Sequence, residues 1–481
     1  MPRSAAFAAV APILLVMTGH IVDAQPRGAR RLSLAELTRI AVAGPRAQAA
    51  RLATRQAEAL VTEAGGARFP HIEVRALAAP SPNIDCLNPD CTETSHTDVN
   101  LAFDGAWGSV QVNLAQPLFT FGKLSAAMRG ARSAAAAARS SESGVTGDIE
   151  VDAARAYFGL KLARELRYEL EDGLDEIDKA RRQLAEALSA KKGGGEATVQ
   201  DRLRLETVLG EARSRLAEAR EAEDTALAAV RVMAGDPRAD IDDKPLEPDE
   251  VELATADHYA DLAMAVRPEL AALRHAQAGT DALADLELAR FFPDFLLVGT
   301  FQWARAQGVD DPPSAFASDP FNTTTVGLAA ALRWTIEPFS QRGRLARARA
   351  RRDEVSADLR AASGAVRLDV EHAHAQARSA HGRLEAAREG EKSARGWVAS
   401  VLQGEAIGVV EAKELADAYL AYFSLRARYL TAVHDWNLAL VRLRRATGPG
   451  AGPAPARPGR PNRPAPATGP TDSTIGHGSV R

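Results

Sequence analysis

Apolar positions along this chain change their spacing in the same way twice. From Leu32 to about Ala67 they recur at helical intervals, with Leu34, Leu37, Ile40 and Ala41 carrying the pattern. Ser33 and Glu36 read as a capping box, Pro45 as a junction inside the segment and Pro70 as its end. The spacing then drops to two. Ile72, Val74 and Ala76 form one alternating run, and Val110, Val112 and Leu114 alternate with Gln111, Asn113 and Ala115 in a second. A turn at Thr120-Phe121-Gly122-Lys123 leads into a helical tract from about 123 to 192, whose Leu160, Leu162, Leu166, Leu170, Leu174, Ile177, Leu184 and Leu188 form a packing seam. Glycines 193–195 read as a hairpin tip, since glycine alone enters left-handed backbone freely. A returning helix follows, from about Thr198 to Met233.

The pattern recurs from residue 257. Pro268 interrupts and Pro293 ends the first segment, and Phe295, Leu297, Phe301 and Trp303 alternate with Leu296, Val298, Thr300 and Gln302. A loop rich in Asp, Pro and Ser precedes Val326, Leu328, Ala330, Leu332 and Trp334, then Gln341-Arg342-Gly343-Arg344 opens a helical tract to about Gln403. The tip is Gly404 to Gly408, and the last helix runs from about Val410 to Ala446. Pro45 to Pro70 and Pro268 to Pro293 both span 25 positions, while Gly195 to Gly235 and Gly408 to Gly448 both span 40. Two matching intervals point to a duplicated unit.

The expected organisation is therefore a leader at 1–24, a first repeat at 25–235, a linker at 236–256, a second repeat at 257–448 and a disordered tail at 449–481. Strands are expected at about 71–78, 109–119, 294–304 and 324–336, and helical hairpins at 123–234 and 344–447. The leader rests on Arg3, the apolar run Ala5 to Met17 and the small residues around Val22-Asp23-Ala24, a run too short to span a bilayer. The tail is Pro, Gly, Ala and Arg with little to bury.

Composition narrows the function. A net charge of −4 over 481 residues, with no basic arm, gives no sign of nucleic-acid binding. Aromatics at 5% and abundant alanine suit long packed helices better than several compact cores. Cys86 and Cys91 are placed to close a small loop as a disulfide in an exported chain, with free thiols as the alternative. His372, His374 and His381 invite a metal reading, but His372 and His374 fall on different helix faces, so no metal and no cofactor is expected. Gly193–Gly195 lacks the Lys-Ser/Thr of a phosphate loop, and no catalytic constellation is present, so no enzymatic activity is expected.

The strands decide between two architectures. Each is about ten residues with one apolar face, which fits an outer-membrane strand and equally an antiparallel sheet on a soluble core. Four strands cannot close a barrel, and open edges are forbidden in lipid, so a lipid-facing sheet requires further chains. Three chains give twelve strands. An acidic residue repeated by rotational symmetry then forms a ring that favours cations, and Glu414 and Asp417 share one face of the last helix just beyond the tip. The competing reading is an exported coiled-coil structural or adhesive protein.

Ala67-Arg68-Phe69-Pro70 and Arg290-Phe291-Phe292-Pro293, with Gln116-Pro117-Leu118-Phe119 before Gly122-Lys123, resemble the outer membrane efflux protein family, the TolC-like ducts. Gly343-Arg344, Ile407-Gly408 followed by Glu414 and Asp417, and Ala446-Thr447-Gly448 extend the resemblance from about Leu32 to Gly448. It implies a mainly α fold with a transmembrane β part: a homotrimer whose twelve-stranded barrel, four strands per chain, sits in outer-membrane lipid and continues as an α-helical barrel across the periplasm. It also implies a periplasmic adaptor and an inner-membrane pump as partners in efflux or type I secretion. Glu414 and Asp417 match the acidic lining of the periplasmic aperture, and Asp201 matches a residue that holds the aperture closed. Val410 and Glu405 stand where that residue's Arg and Tyr partners belong, so the resemblance carries the ring and not the latch. Gly194, Gly195, Ile407, Gly408 and Val409 match the adaptor-docking tips.

Overall fold

A computed structural model describes residues 30–81, 105–189, 199–307, 309, 321–406 and 412–450. Its elements run β1 (Arg30–Leu32), α1 (Leu34–Ala43), α2 (Pro45–Gly66), β2 (His71–Ser81), β3 (Gly105–Phe119), α3 (Lys123–Ser189) and α4 (Val199–Ala234). The same order follows as β4 (Ala239–Ile241), α5 (Ala256–Val266), α6 (Pro268–Ala289), β5 (Asp294–Ala306), β6 (Thr323–Arg333), α7 (Pro338–Ala406) and α8 (Ala412–Thr447). The leader, Cys86 and Cys91, residues 190–198 and 407–411 at the hairpin tips, and residues 451–481 lie outside the described residues.

Local chemistry sets the helix starts. Ser33 accepts from the Glu36 amide while the Glu36 carboxylate accepts from the Ser33 amide, closing the capping box on α1. Pro45 and Pro268 stand at the first positions of α2 and α6, where a missing N–H costs nothing. Pro338 does the same for α7, which therefore starts earlier than the Gly343-Arg344 turn on which the sequence places it. The turn into α3 is tighter. Gly122 has φ 89 and Phe121 φ 48, a left-handed pair that costs a bulky residue about 1–3 kcal/mol. Phe292 stacked on Phe121 at 5.2 Å and Phe119 edge-on to it at 4.7 Å hold the ring in place.

α3 and α7 have 67 and 69 residues, so each is about 100 Å long. Helices of that length persist by lateral packing. α2 and α6 flank α3 near its start, α6 also packs on α7, and α4 and α8 return along the far halves of α3 and α7. Among the described residues no helix is long and apolar enough to cross a membrane.

The core lies at mid-length, where Leu37, Leu160, Ile241, Leu270, Trp436 and Leu443 are buried together. The stretch expected as a linker contributes to it. β4 pairs in parallel with β1, and the strap that follows is tied to α8: Trp436 Nε1 donates to Asp249 O at 2.8 Å, and Asn437 bonds Asp249 N and Glu247 O. Tyr157 donates to Asp242 at 2.8 Å, and burial pushes its hydroxyl far above the usual tyrosine range. Arg445 joins three helices by donating to Asp148 at 2.8 Å and Glu269 at 2.5 Å. Burial pushes the Glu269 carboxyl up, but the Arg445 hydrogen bond and the Arg445 and Arg267 charges outweigh it and hold the group below the ordinary carboxylate range.

Candidate functional site

The second sheet is the part of the molecule that no soluble core explains. Its order is β2-β3-β5-β6, antiparallel throughout, with β2 and β6 unpaired at the edges among the described residues. None of the helices packs extensively on it. Side chains alternate across a strand, so the register assigns every residue to a face. On one face the rows are Val74-Val112-Phe301-Val326, Ile72-Leu114-Gly299-Leu328 and Ala76-Val110-Trp303-Thr324. On the other they are Arg75-Gln111-Gln302-Thr325 and Glu73-Asn113-Thr300-Gly327. In these central rows one face is largely apolar and the other largely polar; toward the helix end the second face turns apolar, with Ala115, Val298 and Ala329 in one row.

The apolar face is bare. Val326 is 77% exposed and Leu328 73%, with Ile72, Val74, Phe301 and Trp303 also exposed. A contiguous exposed apolar face of this kind marks a surface that meets a partner or a membrane. The polar face is knit by short contacts such as Arg75–Glu73 at 2.8 Å. Strands of 11 to 15 residues have the length that crosses a bilayer when tilted. At the helix end of the sheet aromatics collect: Phe119, Phe121, Phe292 and Phe295, then Trp334 and Phe339. Lys123 seals this junction by donating to Asp294 at 2.8 Å and to Phe292 O at 2.9 Å.

The far end of the helices carries the acidic residues singled out in the sequence. Glu414 is exposed in the first turn of α8. Asp417, one turn on, is half-buried and accepts from Arg204 of α4 at 2.7 Å, an ion pair between the two hairpins that the sequence did not point to. Asp201 lies on α4, and its side chain is outside the described residues, as are Gly194, Gly195, Ile407, Gly408 and Val409. Above the Arg204–Asp417 pair the hairpins leave a groove of about 1310 Å³ between α3, α4, α7 and α8, lined by Leu170, Leu174, Ile177 and Phe423. The histidines are dispersed: His374 bonds Ala254 O at 3.0 Å, His372 meets Gln376, and His381 sits edge-on to Trp436. Among the described residues no cluster is suited to a metal ion.

Residues 260–449 match the family model described as outer membrane efflux protein. No curated protein matches the sequence. Solved structures do share the fold. The open state of the Neisseria gonorrhoeae MtrE outer membrane channel has TM-score 0.69 at 18% identity, with 87% of this chain and 89% of that one covered. The outer membrane protein VceC of Vibrio cholerae has TM-score 0.67 at 16% identity, covering 86% and 96%. The Campylobacter jejuni CmeC outer membrane channel has TM-score 0.68 at 13% identity, covering 86% and 85%.

Proposed function

We propose that this chain, which matches the outer membrane efflux protein family over residues 260–449 and has the fold of outer-membrane channels, is the outer-membrane exit duct of an efflux or type I secretion system. It passively conducts substrates delivered by an inner-membrane pump and a periplasmic adaptor, and catalyses nothing itself. The observation that carries the reading is the sheet, whose central rows are largely apolar on one face and largely polar on the other, with both edges unpaired among the described residues. In hydrocarbon those edges demand partners, because an unpaired backbone group costs several kcal/mol there. Three chains bring twelve strands, place the polar rows around a lumen and leave the apolar rows to lipid.

The helices support the same assembly. The face of α7 turned away from α6 is a stripe of exposed small residues, Ala346, Ala350, Ala357, Ala361, Gly364 and Gly382, with Leu368 among them. A second copy is the natural cover for such a stripe. Matching lengths in the two halves, 22 residues for α2 and α6 and 36 for α4 and α8, support the duplication. At the periplasmic end Glu414 and Asp417 form the aperture ring, with Asp201 nearby in the sequence pattern and the glycine tips as the adaptor-docking surface. Arg204 neutralises Asp417, so Glu414 carries most of the cation preference.

Reconstitution tests the reading. Protein purified in detergent is expected to have the mass of three chains and to conduct ions across a planar bilayer. A soluble monomer without conductance removes the duct, and leaves the exported coiled-coil rod as the surviving reading.

A further inference from the structure

The start of α7 carries a charge pattern that the duct itself does not require. Six arginines, Arg342, Arg344, Arg347, Arg349, Arg351 and Arg352, fall within its first turns. Arg344, Arg351 and Arg352 are paired with Glu337, Glu354 and Asp353. Arg342, Arg347 and Arg349 are exposed and have no carboxylate partner among the described residues. Aligning Gly343-Arg344 with Gly122-Lys123 puts Phe121, Ala126 and Met128 of the first half at those three positions. There α3 is packed by both α2 and α6, and Ala126 and Met128 are buried. At these three positions the arginines thus replace an aromatic and two buried residues of the first half.

Steps of 7, 11 and 7 residues keep side chains on nearly one line of a helix, so Arg342, Arg349, Arg360 and Arg367 share a flank of α7. Lower on that flank lies α5: Arg367 donates to Asp257 at 3.0 Å, and His374, a further seven residues on, bonds Ala254 O. In a closed tube a layer on the inner flank would fill the lumen, so the α5 side is the outside. Arg342 and Arg349 then stand on the outer wall, directly below the membrane-facing sheet. Just above them Trp334, Ile336 and Phe339 are 53%, 66% and 85% exposed, and Trp334 is pinned by its indole N–H to Phe291 O at 3.1 Å. An apolar anchor followed by free guanidinium groups matches the order of a bilayer, hydrocarbon first and phosphate next.

We propose that Arg342 and Arg349, below the Trp334–Phe339 anchor, dock the phosphate headgroups of anionic phospholipid in the periplasmic leaflet around the duct. The inference rests on the outer-membrane reading above. Guanidinium holds phosphate oxygens in pairs, and seven residues place the two groups about 10 Å apart along the helix, so Arg342 reaches the headgroup layer and Arg349 its outer margin.

The test uses full-length protein reconstituted in vesicles of phosphatidylcholine and phosphatidylglycerol in equal parts, with bound lipid read by native mass spectrometry after gentle detergent release. Wild type is expected to retain phosphatidylglycerol preferentially, and R342Q/R349Q to lose that preference by about fivefold for each arginine removed. R347Q, an unpaired arginine on the opposite flank, is expected to keep it. Equal retention of both lipids by wild type, or equal loss in R347Q, overturns the proposal while conductance still supports the duct. If R342Q/R349Q falls apart into monomers in lipid-free neutral detergent, the arginines serve a subunit contact and the lipid assignment is wrong. Failure of wild type to insert or conduct removes both readings.

Discussion

The four-stranded sheet and the helical core at mid-length obey opposite rules with the same residue types. In the core, Trp436, Leu270 and Val433 are sealed among helices, and the buried polar side chain next to Trp436, Asn437, has its amide groups bonded. In the sheet, Phe301, Val326 and Leu328 lie open while Gln111, Gln302 and Thr300 line the other side. On the proposed reading the two regions meet different solvents, and the contrast breaks down or sharpens at particular side chains.

The largest effect is expected in the core. Trp436→Ala leaves a cavity and orphans the Asp249 carbonyl, and is expected to cost about 3–5 kcal/mol, read as a lowered denaturation midpoint in detergent. Val326→Arg on the apolar face is expected to cost about 2–4 kcal/mol when the protein folds into vesicles near mid-depth. Thr325→Arg, next to it on the polar face, is expected to change little. A Val326→Arg cost within about 0.5 kcal/mol, normal for a soluble surface, would erase the distinction between the regions.

Acid probes the core's ionic seams more gently. Glu269 is held below its ordinary range in the fold, so its stabilisation is complete above the unfolded value and is lost as pH falls through the folded one. Thermal midpoints are expected to fall with acid below the usual carboxylate range, and Glu269→Gln to cost about 1 kcal/mol of stability at neutral pH, read as a lower midpoint, while flattening that acid limb. The smallest effects belong to the tip. Glu414→Ala is expected to reduce cation preference, measured as reversal potential in a salt gradient, by less than about 1 kcal/mol. Asp417→Ala is expected to do less, since Arg204 already offsets that charge. Equal effects of the two would show that the pair is open in the conducting state.

Much of this was legible in the residues, and the limits have physical causes. Alternation at Ile72, Val112, Phe301 and Val326 announces strands, because each has enough positions for a period of two to show. Their joining in the order β2-β3-β5-β6 was not visible, since no local signal records that β3 finds β5 across the whole first hairpin. β1 and β4, three residues each, are too short for any period, and their pairing is fixed by the core beneath them. Ser33 with Glu36 foretells its own cap because the chemistry is confined to four consecutive residues. Arg204 and Asp417 are 213 residues apart, and only the return of both hairpins to one place brings them together.

The most direct test of the two-solvent claim places a spin label at Val326 or at Thr325, with Cys86 and Cys91 replaced by serine, in protein reconstituted in vesicles. If the apolar rows meet hydrocarbon, the label at 326 is relaxed by oxygen, which concentrates in lipid, and is shielded from a water-soluble nickel reagent, while the label at 325 shows the reverse. Equal access of the nickel reagent to both neighbouring positions would contradict it.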